Sequence, residues 1–283
     1  MRLRGRPSRV ITPVIVEVAV EVSLVTWNAH WGVSPRTWRP FDVVSVLAAI
    51  EADVLVLQEV FWPDVGVGWV DRAAERLGMR VLSVPLERAE VSDRHRVVVE
   101  PRSRVRTRWG GRIERFRIAD LFRVGEGRTC GWWGLAVLSR RPLHLVEELE
   151  LPTIIGDPVR RRVPLVAVDV GGGQLLVAAT HLSHWPTHAL VQLVRLRSLL
   201  AGRPVVVAGD LNLWPSAVRS VFRGFHLAEA GPTWPSSRPL VQTDHVVSPE
   251  GWAVRHAETL AVGGSDHVPL RVTLCSIRDR RLR

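Results

Sequence analysis

The chain has 283 residues, of which 46% are hydrophobic and 23% charged, enough for one large α/β domain with a sizeable core. Two cysteines, Cys130 and Cys275, exclude a disulfide-stapled scaffold and make a reducing compartment the default. The formal net charge is +10, and every one of the 38 basic residues is arginine, which fits either an anionic partner or a biased composition.

The chain opens with a basic start and an apolar stretch. Pro13, Glu17 and Glu21 interrupt that stretch, no small-residue cleavage site follows, and no uncharged run is long enough to span a bilayer. A cytoplasmic chain is expected, with an N-terminal extension over 1–21, one domain over 22–275 and a basic tail over 276–283. A disordered basic tip is expected before residue 10.

Apolar runs then recur, each ending in polar residues. Val22 to Thr26 leads into Asn28, and Val54 to Leu57 leads into Glu59. Leu135 to Leu138, Leu175 to Thr180 before His181, Pro204 to Ala208 before Asp210, and Val268 to Leu274 after Asp266-His267 complete the set. Continuous runs of Val and Leu predict strands buried on both faces. Helical periodicity covers Val43 to Glu51 behind Asp42, Val70 to Leu77 before Gly78, and Thr187 to Leu200 before Gly202. The triple glycine 171–173 predicts a hairpin turn. Residues 86–128 are arginine-dense and break the rhythm.

The chemistry lies in the positions. Asn28, Glu59, His181 and Asp210 each follow a buried strand, and in open α/β sheets such residues gather at the rim where ligands bind. Their types suit phosphoester hydrolysis. Glu59 and Asp266 offer carboxylates, and Asn28 an amide oxygen, to a hard cation. Asp210 offers a base for water. His181, His267 and Asn212 offer donors for charge on phosphoryl oxygens, and Asp244 a carboxylate to hold an imidazole.

These residues stand in blocks. Thr26-Trp27-Asn28-Ala29-His30-Trp31-Gly32, Leu57-Gln58-Glu59 and Gly134 to Arg140 come first. Thr180-His181-Leu182 with Gln192, Gly209-Asp210-Leu211-Asn212, Thr233-Trp234-Pro235, Thr243-Asp244-His245 and Ser265-Asp266-His267 follow. The series resembles the endonuclease/exonuclease/phosphatase superfamily, whose best-known fold is that of pancreatic deoxyribonuclease, from about Ser23 to about Thr273. The resemblance implies a four-layer α-β-β-α sandwich, two mixed sheets face to face with helices outside. It implies a Mg²⁺- or Mn²⁺-dependent phosphoesterase in which Glu59 binds the metal with Asn28 and Asp266 nearby. Asp210 and Asn212 would position water, His181 and His267 would contact the phosphate, and Asp244 would orient His267.

Departures bear on substrate. Apurinic-site endonucleases of this superfamily usually carry an acidic residue where His30 stands here, as it does in branches acting on smaller phosphoesters or lipid headgroups. The run Leu240-Val241-Gln242-Thr243 and the absence of tyrosine also count against DNA repair. A lipid phosphoesterase would need an exposed apolar loop, and the sequence shows no obvious one.

Arg102, Arg104, Arg106 and Arg108 alternate, as a phosphate-tracking stripe on one strand face would, or as a solvated insertion would. Arg104 and Arg106 are therefore substrate-binding candidates, as is Arg162, which matches a family position and has a supporting role as its alternative. Trp185 and Trp214 follow His181 and Asn212 and are candidates for stacking a ring. A phosphoester substrate, with nucleic acid as the alternative partner, and a monomer are expected. The rival readings are a nuclease of the same fold and an inactive anion-binding module.

Overall fold

The computed structural model describes residues 17–91, 97–99, 129–154, 157 and 159–278. The N-terminal tip, the arginine stripe at 102–108 and the last five residues of the tail lie outside them.

The elements run β1 (Glu17–Asn28), α1 (Val43–Ala48), β2 (Val54–Pro63), α2 (Trp69–Leu77), β3 (Arg80–Val91), β4 (Val97–Val99) and β5 (Thr129–Ser139). Then come β6 (Leu143–Glu150), β7 (Arg162–Asp169), β8 (Gln174–His181), α3 (Pro186–Leu199) and β9 (Val205–Asp210). α4 (Pro215–Val221), β10 (His226–Leu227), β11 (Asp244–Ser248), β12 (Trp252–Thr259) and β13 (Leu270–Arg278) follow. One sheet has the order β12-β13-β1-β2-β5-β3-β4 and the other β10-β11-β9-β8-β7-β6.

Strand alternation explains the layering. Val22, Leu24, Val54, Val56 and Val137 meet Val166, Val177, Val206 and Val246 between the sheets. Their neighbours Val25, Trp27, Leu55, Leu57 and Leu138 face outward and pack against Val43 and Leu47 of α1 and Val70 and Ala73 of α2. On the far side Leu165, Ala178, Val205 and Val207 receive Ala189, Leu193 and Leu196 of α3 and Val218 of α4. Each central strand therefore needs apolar residues at every position, because both faces are covered. The architecture is the four-layer α-β-β-α sandwich that the resemblance implies.

The helix signals act as read. Asp42 caps α1 by accepting the Ser45 N–H at 3.0 Å, and Gly78 closes α2 in the left-handed region at φ 62°. The triple glycine joins β7 to the antiparallel β8. The first and last strands extend past 22–275, with Glu17 paired to Arg278.

Two parallel pairs position the site. β1 pairs with β2 after α1, and β8 pairs with β9 after α3. Asn28, His181 and Asp210 thus end their strands at one end of the molecule, whereas Glu59, expected just beyond a strand, stands inside β2, which resumes pairing after it and runs on to Pro63. β11 runs antiparallel to β9 and brings Asp244 opposite Asp210 at that same end.

Candidate active site

Two of these positions depend on unusual backbone. Between Leu57 and Val60 the β2–β5 register slips, and Glu59 sits at the slip with φ 54°. A bulge of this kind re-aims one side chain, at a backbone cost of roughly 1–3 kcal/mol for a non-glycine residue. Next to Asp210, Gly209 has φ 154°, and a Cβ there would lie 1.8 Å from the Thr180 carbonyl oxygen. Only glycine lets β9 approach β8 this closely, which sets Asp210 beside His181.

Asn28 joins the two sheets. Its side-chain NH₂ donates to Glu59 Oε1 at 3.3 Å and to Asp210 Oδ2 at 3.2 Å. Its amide oxygen accepts the His30 main-chain N–H at 3.1 Å, made possible by a left-handed His30-Trp31-Gly32 turn. In this arrangement the amide oxygen is engaged by a main-chain N–H and the amide donors face the carboxylates. His30 itself is buried, its Nδ1 2.7 Å from the Val33 oxygen and its ring stacked on Trp31 at 3.7 Å.

Asp210 is the centre. Its Oδ1 accepts the Asn212 N–H at 2.9 Å, and its Oδ2 lies 3.7 Å from both His181 Nε2 and His267 Nε2. Burial raises its carboxyl to about 7, against the opposing charge of His267 and with the Asp244 charge adding to the rise. Glu59 is also raised to about 7, first by burial and then by the charge of Asp266, with the Asn28 hydrogen bond opposing. Its Oε2 is buried and has no hydrogen-bond partner among the described residues.

The two histidines differ. For His267, burial disfavours the charge, but the Asp244 and Asp210 carboxylates outweigh it and raise the imidazole to about 10. Its Nδ1–H donates to Asp244 Oδ2 at 2.8 Å. Asp244 falls below the ordinary carboxylate value. Burial pushes it up, while His267 and a Thr233 hydrogen bond pull it further down. His181 is held well below the usual imidazole value by burial and then by the Arg161 charge.

Arg161 is the residue that sequence reasoning missed. Its guanidinium is buried, donates to the His181 carbonyl at 3.2 Å, pairs with buried Asp157 at 3.3 Å and lies 5.7 Å from the Trp133 ring centre. Arg162 corrects the expectation placed on it. It turns away to Glu148 at 2.7 Å and the Pro85 carbonyl, outside the cluster. Three consecutive arginines, 160–162, gave no signal to choose among them. Thr233 sets the backbone beside Asp244. Its hydroxyl oxygen accepts the N–H groups of Thr243 and Asp244 at 3.0 and 3.1 Å, and so fixes the start of β11.

Asn212 stands at φ 51° and donates from its amide to the Leu182 carbonyl at 3.0 Å, tying the loops after β8 and β9 together. Asp266 follows Ser265, whose hydroxyl donates to the Asn28 carbonyl at 2.6 Å and accepts the His267 N–H at 3.1 Å. Trp185 and Trp214 are exposed at the N-caps of α3 and α4. Arg104 and Arg106 lie outside the described residues.

Asp210, Asp244 and His267 bring ligand atoms within 4.8 Å of one another, close enough for a cation. A protonated imidazole is no metal ligand, however, and the Asp244–His267 contact already holds a proton. Glu59, beside Asp266, keeps its carboxyl raised by burial and by the Asp266 charge, with the His267 charge offsetting only part of the rise.

The endonuclease/exonuclease/phosphatase family model matches residues 25–267. This chain belongs to that family. An endonuclease/exonuclease/phosphatase from Beutenbergia cavernae DSM 12333 is similar in fold, with TM-score 0.63 and 24% identity over 91% of this chain and 72% of that one. The Bacteroides vulgatus endonuclease/exonuclease/phosphatase gives TM-score 0.58 and 12% identity over 90% and 98% of the two chains. D. rerio TDP2, solved with a single-strand DNA product, gives 0.54 and 18% over 90% and 98%. No curated protein matches the chain significantly. Among the described residues no helix is long and apolar enough to cross a membrane.

Proposed function

We propose that the chain hydrolyses a phosphoester by metal-assisted in-line attack of water. One observation carries the reading. Asn28 clamps Glu59 and Asp210 together across the two sheets, and leaves Glu59 Oε2 buried without a partner. Buried carboxylates raised to about 7 by desolvation and mutual charge fit a divalent cation, which takes hard oxygen ligands. Glu59 would hold it, with Asp266 alongside. When bound, Mg²⁺ or Mn²⁺ supplies a Lewis acid for a phosphoryl oxygen.

The chain's own residues divide the remaining work. Asp210, near 7, takes a proton from water at Oδ2, since a base works best when its pKa lies near the working pH. The Asn212 N–H holds the other carboxylate oxygen and so fixes the plane of attack. His267, charged and braced by Asp244, presents Nε2–H to the charge that builds on the phosphoryl oxygens. His181, neutral, adds a second donor at Nε2 without adding charge. Arg161 anchors the strand end that carries it.

The test is hydrolysis by the purified chain of bis-p-nitrophenyl phosphate, p-nitrophenyl phosphate, plasmid DNA, RNA and sphingomyelin, with Mg²⁺ or Mn²⁺. Chelation should abolish turnover and either ion should restore it. Full activity in excess EDTA would reject the reading.

A further inference from the structure

Large apolar side chains that face solvent are unevenly placed. Among the described residues the three most exposed are Val65 at 88%, Leu240 at 69% and Val67 at 61%. Val65 and Val67 sit in the loop from β2 to α2, and Leu240 in the loop before β11. Exposed Trp185, Trp214 and Trp234 occupy the loops after β8, after β9 and before β11. All six therefore stand at the end of the strands where Asn28, His181 and Asp210 leave the sheets. The remaining exposed apolar residues lie mainly on the outer face of α3, on β6 and at the far end of β13.

These loops are held in place. Trp234 and Val241 exchange main-chain hydrogen bonds, and the Ser236 N–H and hydroxyl reach the Asp266 and Ser265 carbonyls. The Asp64 N–H donates to the Cys130 carbonyl, and Arg72 grips the Val67 carbonyl at 2.6 Å. The valines and Leu240 are thus presented outward on anchored backbone. They form the exposed apolar loops that residue order alone does not make obvious.

We propose that this crown docks on the surface of an anionic lipid bilayer. Aliphatic tips gain by leaving water for the acyl boundary, and indole rings favour the headgroup level. Arg36, Arg39 and Arg238 are exposed in loops of the same end, Asp64 there is neutralised by Arg88, and the chain's net charge is +10. Anionic headgroups complement that charge, whereas a second copy of the chain would be repelled. Nucleic acid fits less well, because Val65, Val67 and Leu240 neither stack on bases nor donate hydrogen bonds. Docking in this orientation turns the Asp210 cleft toward the headgroup layer. That a headgroup phosphoester is then the substrate rests on the phosphoesterase reading above. The docking surface itself does not.

The test is co-flotation of the full chain with vesicles of phosphatidylcholine, alone and mixed with phosphatidylserine. The wild type should bind the mixed vesicles more tightly, and Glu59→Gln should bind as well as wild type. The Val65→Ser/Val67→Ser/Leu240→Ser variant should bind about tenfold more weakly or worse, while still hydrolysing bis-p-nitrophenyl phosphate like wild type. Wild-type protein that stays with the aqueous phase overturns the proposal, as does a triple-serine variant that floats like wild type. A single-strand oligonucleotide that displaces the protein from vesicles, and binds the triple variant more weakly, would assign the crown to nucleic acid instead. Vesicle binding without any hydrolysis would leave the docking standing and remove the phosphoesterase reading.

Discussion

Asp244→Asn separates the two ways in which His267 can serve. The carboxylate is buried, 2.8 Å from His267 Nδ1, and is the strongest of the influences that hold the imidazole charged against burial, with Asp210 next. Removing its charge while keeping its shape lets burial pull His267 down from about 10. The imidazole then loses its proton near neutrality, and with it the charged Nε2–H donor. Losing one donor aimed at transition-state charge typically costs on the order of 10²–10³ in rate. Asp244→Asn should therefore lower kcat by somewhat less than His267→Ala, with a small change in KM, because the ring stays in place. The alkaline limb of kcat against pH, near 10 in the wild type, should move toward neutral. The acid limb, set by Asp210 near 7, should move less, because losing the Asp244 charge lowers that carboxyl while withdrawing the His267 charge raises it. Steady-state kinetics on bis-p-nitrophenyl phosphate across the pH range reads all three. The double variant Asp244→Asn/His267→Ala should be little worse than His267→Ala alone, since residues acting as one unit are not additive. Effects that multiply, or an alkaline limb that stays where it was, would refute the claim that Asp244 works through His267.

Glu59→Gln should weaken Mg²⁺ binding about tenfold or more, as a hard anionic ligand is lost, and a calorimetric titration reads it directly. The folded pKa values of Glu59 and Asp210, about 7 against unfolded values of 4.5 and 3.8, also carry a sign. The folded chain binds more protons than the unfolded one in that window, so the contribution of these two carboxyls to metal-free stability should fall as pH rises through it and level off above about 7. The contribution of His267 has the same slope but is lost later, as pH rises from its unfolded 6.5 to about 10. Mg²⁺ should therefore raise the melting temperature more at about pH 8 than at about pH 5, and equal shifts would argue against a cation between these carboxylates. Arg161→Leu leaves Asp157 buried and unpaired, and urea unfolding should show a loss of roughly 3–5 kcal/mol.

Much of this was legible in residue order. Continuous apolar runs and period-3.6 patterns located the central strands and three helices, because strands covered on both faces must be apolar throughout. β3, β6, β7 and β12 gave weaker signals: Leu143–Glu150 carries polar residues on an edge with one solvated face, and Arg80–Val91 mixes charge with apolar residues at a sheet flank. The site residues were legible as types at strand ends. Their directions were not. Which way the Asn28 amide turns depends on the His30 N–H, itself a product of a left-handed turn that composition does not announce. The choice between Arg161 and Arg162 depends on where the chain enters β7, and one residue of offset exchanges a buried guanidinium for an exposed one.

Protonation is the property furthest from sequence. His181 and His267 place Nε2 at the same 3.7 Å from the same oxygen of Asp210, and both are buried. Burial alone would neutralise both. What differs is the neighbour behind each ring: the Arg161 guanidinium lies by His181 and opposes a second positive charge, while the Asp244 carboxylate lies against His267 and outweighs burial. Asp210 is thereby flanked by one neutral and one charged imidazole. A fully charged flank would hold its carboxyl too low to take a proton from water near neutrality. A fully neutral flank would leave burial to raise it further and would offer no cation to the departing charge. The intermediate value near 7 follows from the asymmetry, and the asymmetry follows from the two residues behind the rings: the Arg161 guanidinium holds the His181 carbonyl, and the Asp244 carboxylate holds the ring nitrogen of His267 on the side away from Asp210.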